Sequence, residues 1–234
     1  MKKIIMAIII LGTLVGCSSE KEVVSDAIKF KNEYEELNGE KTSYGDYSYR
    51  NLDIDDDNPI IYKSAKEVLD MIQSKETFLV YFGFSDCPWC RSVIETLLKV
   101  SNDLDITNIY YVDVKDIRDT LNIDEMNEVI TTKEGSKEYY RLLDELSNVL
   151  DDYTLTDKNG NEVNTNKKRI YAPNIVAIVD GVATKMTTGI SDKQTDAFME
   201  LTDEIKNESY DMIKCTLECI KEEKAICTND SKKC

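Results

Sequence analysis

The 234-residue chain contains no histidine. That absence removes Ser–His and Cys–His hydrolase mechanisms and histidine-ligated metal sites together. It also removes the usual proton shuttle near neutral pH, which leaves acid–base chemistry to carboxylates, thiols, tyrosines, lysines and water. Positive charge is scarce as well: 29 Lys and Arg face 45 Asp and Glu, a formal net charge of −16. A surface this acidic repels phosphate backbones, so nucleic acid is not an expected partner, and the acidity reads as a solubility feature. The apolar run at residues 4–15 is too short to span a bilayer comfortably as a permanent helix. Tryptophan occurs once, at position 89. What is present, 41% hydrophobic and 32% charged residues, describes a globular chain. Its length suits one domain of ordinary size with appendages, able to bury a core without metals or disulfides.

Seven cysteines fall by position into groups of one, two and four. The first is Cys17. Met1-Lys2-Lys3, the apolar run and Gly16-Cys17-Ser18-Ser19 follow the order of a secretory signal. Leu14-Val15-Gly16-Cys17 resembles the bacterial lipoprotein lipobox. The resemblance implies cleavage after residue 16, lipidation of Cys17 and attachment to the outer face of a membrane, in a compartment that permits disulfides. The alternative is an ordinary signal peptide or anchor helix in which Cys17 is incidental. Residues 17–58, with a charged helix over about 22–37 and the acidic run 53–57, read as the lipidated cysteine and a polar spacer.

The second group is Cys87-Pro88-Trp89-Cys90. Upstream, residues 59–62 read as a short strand, and Ser64 with Glu67 forms a capping box for a helix ending near residue 74. Residues 77–84 form a nearly continuous apolar run, the pattern of a strand buried on both faces. Val93, Ile94, Leu97, Leu98 and Val100 then give a helical stripe. Pro88 suits the first helical turn, which places Cys87 at the helix N-terminus against unpaired N–H groups and the positive dipole end. That setting favours the thiolate. Cys90, three residues on, can close a disulfide with it. Arg91 adds nearby positive charge, and Asp86 pushes the other way. Trp89 offers an apolar platform for an unfolded substrate, or simply packs over the motif.

Strand, C-x-x-C and helix together resemble the thioredoxin superfamily. A second mark is the segment 169–181, a proline followed by a strand and a turn. The resemblance implies that the bond before Pro173 is cis, that Pro173 opposes the C-x-x-C, and that Ala172 offers backbone hydrogen bonds to substrate. It implies a last strand over 182–188 and a closing helix over 195–206. The expected fold is α/β and thioredoxin-like: a central mixed sheet flanked by helices, occupying residues 59–209. Two departures stand out. The position of the family's buried acid, six residues before the first cysteine, holds Tyr81. The stretch between Cys90 and Pro173 is also long. After an expected strand at 109–114, residues 116–150 look mostly helical, and 157–161 carry a hairpin turn signal. We therefore expect a helical insertion plus a hairpin over 116–168, serving either to cover the site or to thicken the core. Among extracytoplasmic branches the chain is similar to the bacteriocin transport accessory, thioredoxin-like lipoproteins, which implies handling of secreted disulfides.

The third group is Cys215, Cys219, Cys227 and Cys234, in a tail over 210–234. Cys215 and Cys219 share a helix face but sit too far apart along it to bond each other easily. Of three possible pairings, a nested one is expected, Cys219–Cys227 inside Cys215–Cys234. A second redox pair and a four-thiolate metal site are the alternatives.

The resulting expectation is a membrane-anchored thiol–disulfide oxidoreductase. Cys87 and Cys90 are catalytic, and Trp89, Ala172 and Pro173 contact substrate. No cofactor beyond the Cys87–Cys90 disulfide and no metal is expected. The partners are secreted or surface protein thiols, a membrane redox partner and, through Cys17, lipid. The alternative reading is a thioredoxin-like accessory module that binds secreted peptides and keeps a structural disulfide, or a zinc knuckle short of two ligands.

Overall fold

A computed structural model describes residues 24–221. The expected signal segment, Cys17, Cys227 and Cys234 lie outside the described residues. The element order is α1 (Asp26–Glu35), β1 (Ile60–Tyr62), α2 (Ala65–Gln73), β2 (Phe78–Gly83), α3 (Pro88–Asp103) and β3 (Ile109–Asp113). There follow β4 (Thr120–Ile123), β5 (Val129–Lys133), α4 (Lys137–Glu145), β6 (Asp152–Thr156), β7 (Glu162–Lys168), β8 (Asn174–Val179), β9 (Val182–Thr187) and α5 (Asp203–Glu218).

Five strands build one mixed sheet in the order β1-β3-β2-β8-β9. β3 runs parallel to both β1 and β2, while β8 is antiparallel to β2 and to β9. All six residues of β2 are buried, as the apolar run requires of a central strand. Side chains alternate across the sheet. Phe78, Val80 and Phe82 enter a core with Val68, Leu69, Leu142 and Leu146 from α2 and the α4 region. Leu79 and Tyr81 enter the opposite core with Phe30, Tyr34, Ile94, Leu97, Ile213 and Leu217 from α1, α3 and α5. The protein is thus mixed α/β, with a central mixed sheet covered by helices on both faces. Among the described residues no helix is long and apolar enough to cross a membrane.

Three local expectations differ from the structure. The segment read as a polar spacer belongs to the domain from α1 onward. Phe30 and Tyr34, four residues apart and so on one helix face, are fully buried, whereas Val24 is 55% exposed. Tyr49, Leu52 and Ile54 are buried as well. Asp26 accepts from the Tyr62 backbone N–H at 2.9 Å, and Glu35 from that of Ile54 at 2.7 Å. Polar composition misled because these carboxylates satisfy backbone donors instead of facing water.

Second, the 116–150 stretch is helical only at α4, and residues 120–133 form the β4–β5 hairpin. Leu121 is the only one of the hairpin's strand residues that is buried, so apolar periodicity gave little signal there. The apolar stripe Leu142, Leu146, Val149 and Leu150 does join the core. This part of the insertion thickens the core rather than covering the cysteines. The second hairpin, β6–β7, turns where expected, with Asp157 accepting from the N–H groups of Asn159 and Asn161, both at 2.8 Å. A buried ion pair between Asp119 and Arg169 clips the two ends of the insertion together.

Third, the closing helix starts at Asp203, not 195, and runs through residues assigned to a separate tail. Thr202 caps it, and Ile205, Ser209, Ile213 and Leu217 supply the buried stripe only from there on. Cys215 therefore lies in the domain's last helix, and Cys219 is its C-cap. Both are disulfide-bonded.

Candidate functional site

Cys87 is the N-cap of α3, in extended conformation, and Pro88 occupies the first turn. Its sulfur accepts from the Cys90 backbone N–H at 3.4 Å. Its thiol also donates to the carbonyl of Ala172 at 3.2 Å. The Ala172–Pro173 peptide bond is cis. Thus β2, α3 and the turn into β8 bring Cys87, Cys90, Ala172 and Pro173 together, and Trp89, half-buried, packs against the same cluster. Cys87 and Cys90 are both free thiols, so the structure represents the reduced pair.

The two thiols are unlike. Cys87 is 5% exposed and Cys90 fully buried. The Cys87 thiol is lowered from its ordinary value, first by the hydrogen bond from Cys90, then by the Cys90 and Trp89 N–H groups and the charge of Arg118, against the opposing effect of burial. Burial pushes the Cys90 thiol well up, and the neighbouring Cys87 adds to that. Asp86, expected to oppose the Cys87 thiolate, is paired with Lys115 at 2.5 Å. Arg91, expected to favour it, points away into the protein. The cation acting on Cys87 is instead Arg118, whose guanidinium lies 4.8 Å from the Phe84 ring centroid.

A groove of about 330 Å³ opens over Cys87. Its walls include Tyr44, Phe84, Trp89, Arg118, Tyr171 and Phe198. Tyr47 stacks on Phe198 with centroids 4.4 Å apart, and Arg50 donates to the Met199 carbonyl at 2.6 Å. These contacts hold the N-terminal segment against the loop before α5, so both frame the groove. A larger cleft of about 720 Å³ lies elsewhere, between residues 53–59 and α3. Its lining carries Asp53, Asp55, Asp57, Glu95 and Asp105 but no cysteine, and we place the site at the thiols. Among the described residues no group of three or more His, Cys, Asp or Glu could hold a metal ion.

Sequence reasoning missed Tyr34, Tyr44, Arg118 and Phe198. The Phe30–Tyr34 spacing was a readable signal for the first. The others reach the site through loops, which leave no periodic trace. No protein-family model and no curated protein matches the chain.

The asymmetry of the thiols has a measurable consequence. A lowered Cys87 means its thiolate persists below the pH at which free cysteine, near about 8.5, becomes protonated. Alkylation of the reduced protein is therefore expected to titrate with a midpoint below that value and to slow as pH falls through the midpoint. Cys90 should stay unreacted in the same range. A midpoint at or above about 8.5 would contradict this account of the helix terminus.

Proposed function

We propose that the protein is a thiol–disulfide oxidoreductase with Cys87 as the exchanging thiol and Cys90 as the resolving one. We further propose that it is a thioredoxin-like domain held by a lipidated Cys17 at the outer face of a membrane, where it acts on thiols of secreted or surface proteins. The strand order β1-β3-β2-β8-β9 is compatible with such a fold. The observation that carries the reading is the asymmetry of the pair: one thiol lowered at a helix N-terminus beneath an apolar groove, its partner buried behind it and raised.

In the oxidising direction a substrate thiolate attacks the Cys87 sulfur of the closed pair. The Cys87–Cys90 bond breaks and its electrons pass to Cys90, leaving a mixed disulfide between Cys87 and substrate. A second substrate thiolate then displaces Cys87. The substrate has lost two electrons and the protein is a dithiol, to be reoxidised by a membrane redox partner. Trp89 and the groove aromatics receive apolar residues beside the substrate cysteine. Stabilising the Cys87 thiolate stabilises the reduced pair, so oxidation or isomerisation is the favoured direction.

The reduction potential of Cys87–Cys90, measured against glutathione in the full chain with Cys17→Ser, tests this. We expect a value nearer about −120 mV than about −270 mV. A bond that stays closed well below about −300 mV would be a structural disulfide and would end the oxidoreductase reading.

A further inference from the structure

The buried hydroxyls behind Cys90 carry an inference that rests on the exchange reading and goes beyond it. Tyr81 and Gly83 lie on the same face of β2. Gly83 has no side chain, and two reactive atoms fill that space. A Cβ there would lie 2.5 Å from the Tyr81 hydroxyl oxygen and 3.1 Å from the Cys90 sulfur. The Tyr81 hydroxyl and the Cys90 sulfur therefore face the same small space, each influences the ionisation of the other, and the hydroxyl sits 3.1 Å from that of Tyr34. Tyr34 arrives from α1. Tyr111, from β3, stacks on Tyr81 with centroids 5.5 Å apart. All three tyrosines are fully buried.

A phenol and a carboxylate do opposite things at this place. A carboxylate can take the proton of a buried thiol. Burial raises Tyr81 and Tyr34 well above the ordinary tyrosine range, so both stay neutral at physiological pH. They donate hydrogen bonds but accept no proton. The titratable groups acting on Cys90 are Cys87 from α3, Tyr81 from β2, Tyr34 from α1 and Tyr111 from β3. Charges stand one step further off: Arg118 acts on Cys87, Asp113 acts on Tyr111, Arg91 follows Cys90 in α3, and Asp86 is tied to Lys115.

We propose that Tyr81 is a catalytic residue that donates to the Cys90 sulfur whenever that sulfur carries charge, and that Tyr34 is the positioning residue that holds the Tyr81 hydroxyl in line. When a substrate thiol opens the pair, the electrons of the broken S–S bond reach Cys90. The Tyr81 hydrogen bond stabilises that thiolate, and the proton lost by the substrate thiol ends on it. When Cys90 closes the pair, its sulfur attacks Cys87 in the mixed disulfide. The Cys87–Cys90 bond forms, the substrate–Cys87 bond breaks, and the proton of Cys90 leaves with the departing substrate thiolate. Tyr81, held neutral, cannot take it in between. The closing step therefore accelerates with pH, and the Tyr81 donor sets where on the pH axis it does so.

The full chain with Cys17→Ser, loaded at Cys87 with thionitrobenzoate, reports the closing step by release of the coloured thiolate. Release from the otherwise unaltered protein should rise toward alkaline pH. Tyr81→Phe keeps the ring and removes the donor. A hydrogen bond to a charged group corresponds to about ten- to a hundredfold in rate, so release should slow by that factor at neutral pH, with the profile displaced to higher pH. Tyr34→Phe should move rate and profile the same way by less, and it serves as the second reading if Tyr81→Phe does not fold. Alkylation of Cys87 should change less than release in both. Equal release rates and profiles in Tyr81→Phe, Tyr34→Phe and the parent would overturn the proposal, as would a change in Cys87 alkylation as large as the change in release. Should Cys87 never take up the label even in Cys90→Ala, the exchange reading itself fails, and this proposal with it.

Discussion

Cys90→Ala is expected, on the proposed exchange mechanism, to make the mixed disulfide the dominant form of the protein once substrate disulfides or oxidised glutathione are present. The reason lies in the positions of the two sulfurs. Cys87 can be attacked or can attack because it sits beneath the groove. The group placed to free it again is Cys90, fully buried, whose backbone N–H donates to the Cys87 sulfur at 3.4 Å. A tethered thiol competes with solution thiols at an effective concentration far above theirs, so its loss removes the dominant exit. The core should tolerate the change, since the alanine removes one sulfur and its weak hydrogen bonds. Cys87 alkylation should also titrate at higher pH in the variant, because the hydrogen bond from Cys90 is the largest influence lowering it. Non-reducing gels and mass spectrometry of the variant, isolated from cells secreting it, would show adducts that vanish when Cys87→Ala is added. A variant that carries no adducts while the protein still binds peptides unchanged would instead make the domain a scaffold with idle thiols.

The geometry around Cys87 and Cys90 was legible because it is local. Cap, proline, C-x-x-C and stripe lie within 87–100, and the apolar β2 run precedes them directly. The second half of the site, Ala172-Pro173, was legible only through a family resemblance, since nothing between residues 90 and 173 encodes their meeting. What escaped was tertiary. Tyr34 touches Tyr81 from 47 positions away, and its segment reads as polar because its carboxylates bond backbone N–H groups. The β4–β5 hairpin escaped for the opposite reason: its strands bury almost nothing and leave no alternation to read. Residues 195–198 read as helix on resemblance, yet the buried stripe of α5 begins only at Ile205.

Arg91→Leu is expected to cost the fold about 2–4 kcal/mol. Arg91 is 1% exposed, and among the described residues it has no carboxylate within salt-bridge distance. Its guanidinium donates instead to the carbonyl oxygens of Tyr34 at 2.7 Å, Arg50 at 2.6 Å and Ser85 at 3.3 Å, and to Asn38 Oδ1 at 2.7 Å. Leucine would leave these part-buried acceptors without that partner, each a loss of about 1–3 kcal/mol before relaxation. Relief from burying a guanidinium offsets part of the sum. Lysine should recover little, because one ammonium cannot reproduce a planar fork that spans three chain segments. The loss also has a direction. Three of the four acceptors lie in residues 34–50, so that segment should loosen before the sheet does. Proteolysis in native buffer should cut it first, while the β2–β8 amides keep their protection against hydrogen exchange. Urea unfolding supplies the magnitude, and an unfolding free energy within about 0.5 kcal/mol of the parent would reject the clamp. If the clamp holds, its release also withdraws Tyr34 from Tyr81, and the closing of the Cys87–Cys90 pair should slow as it does in Tyr34→Phe. Stability of the N-terminal segment and reactivity of the buried thiol would then be one property, joined through a single arginine in the first turn of α3, next to Cys90.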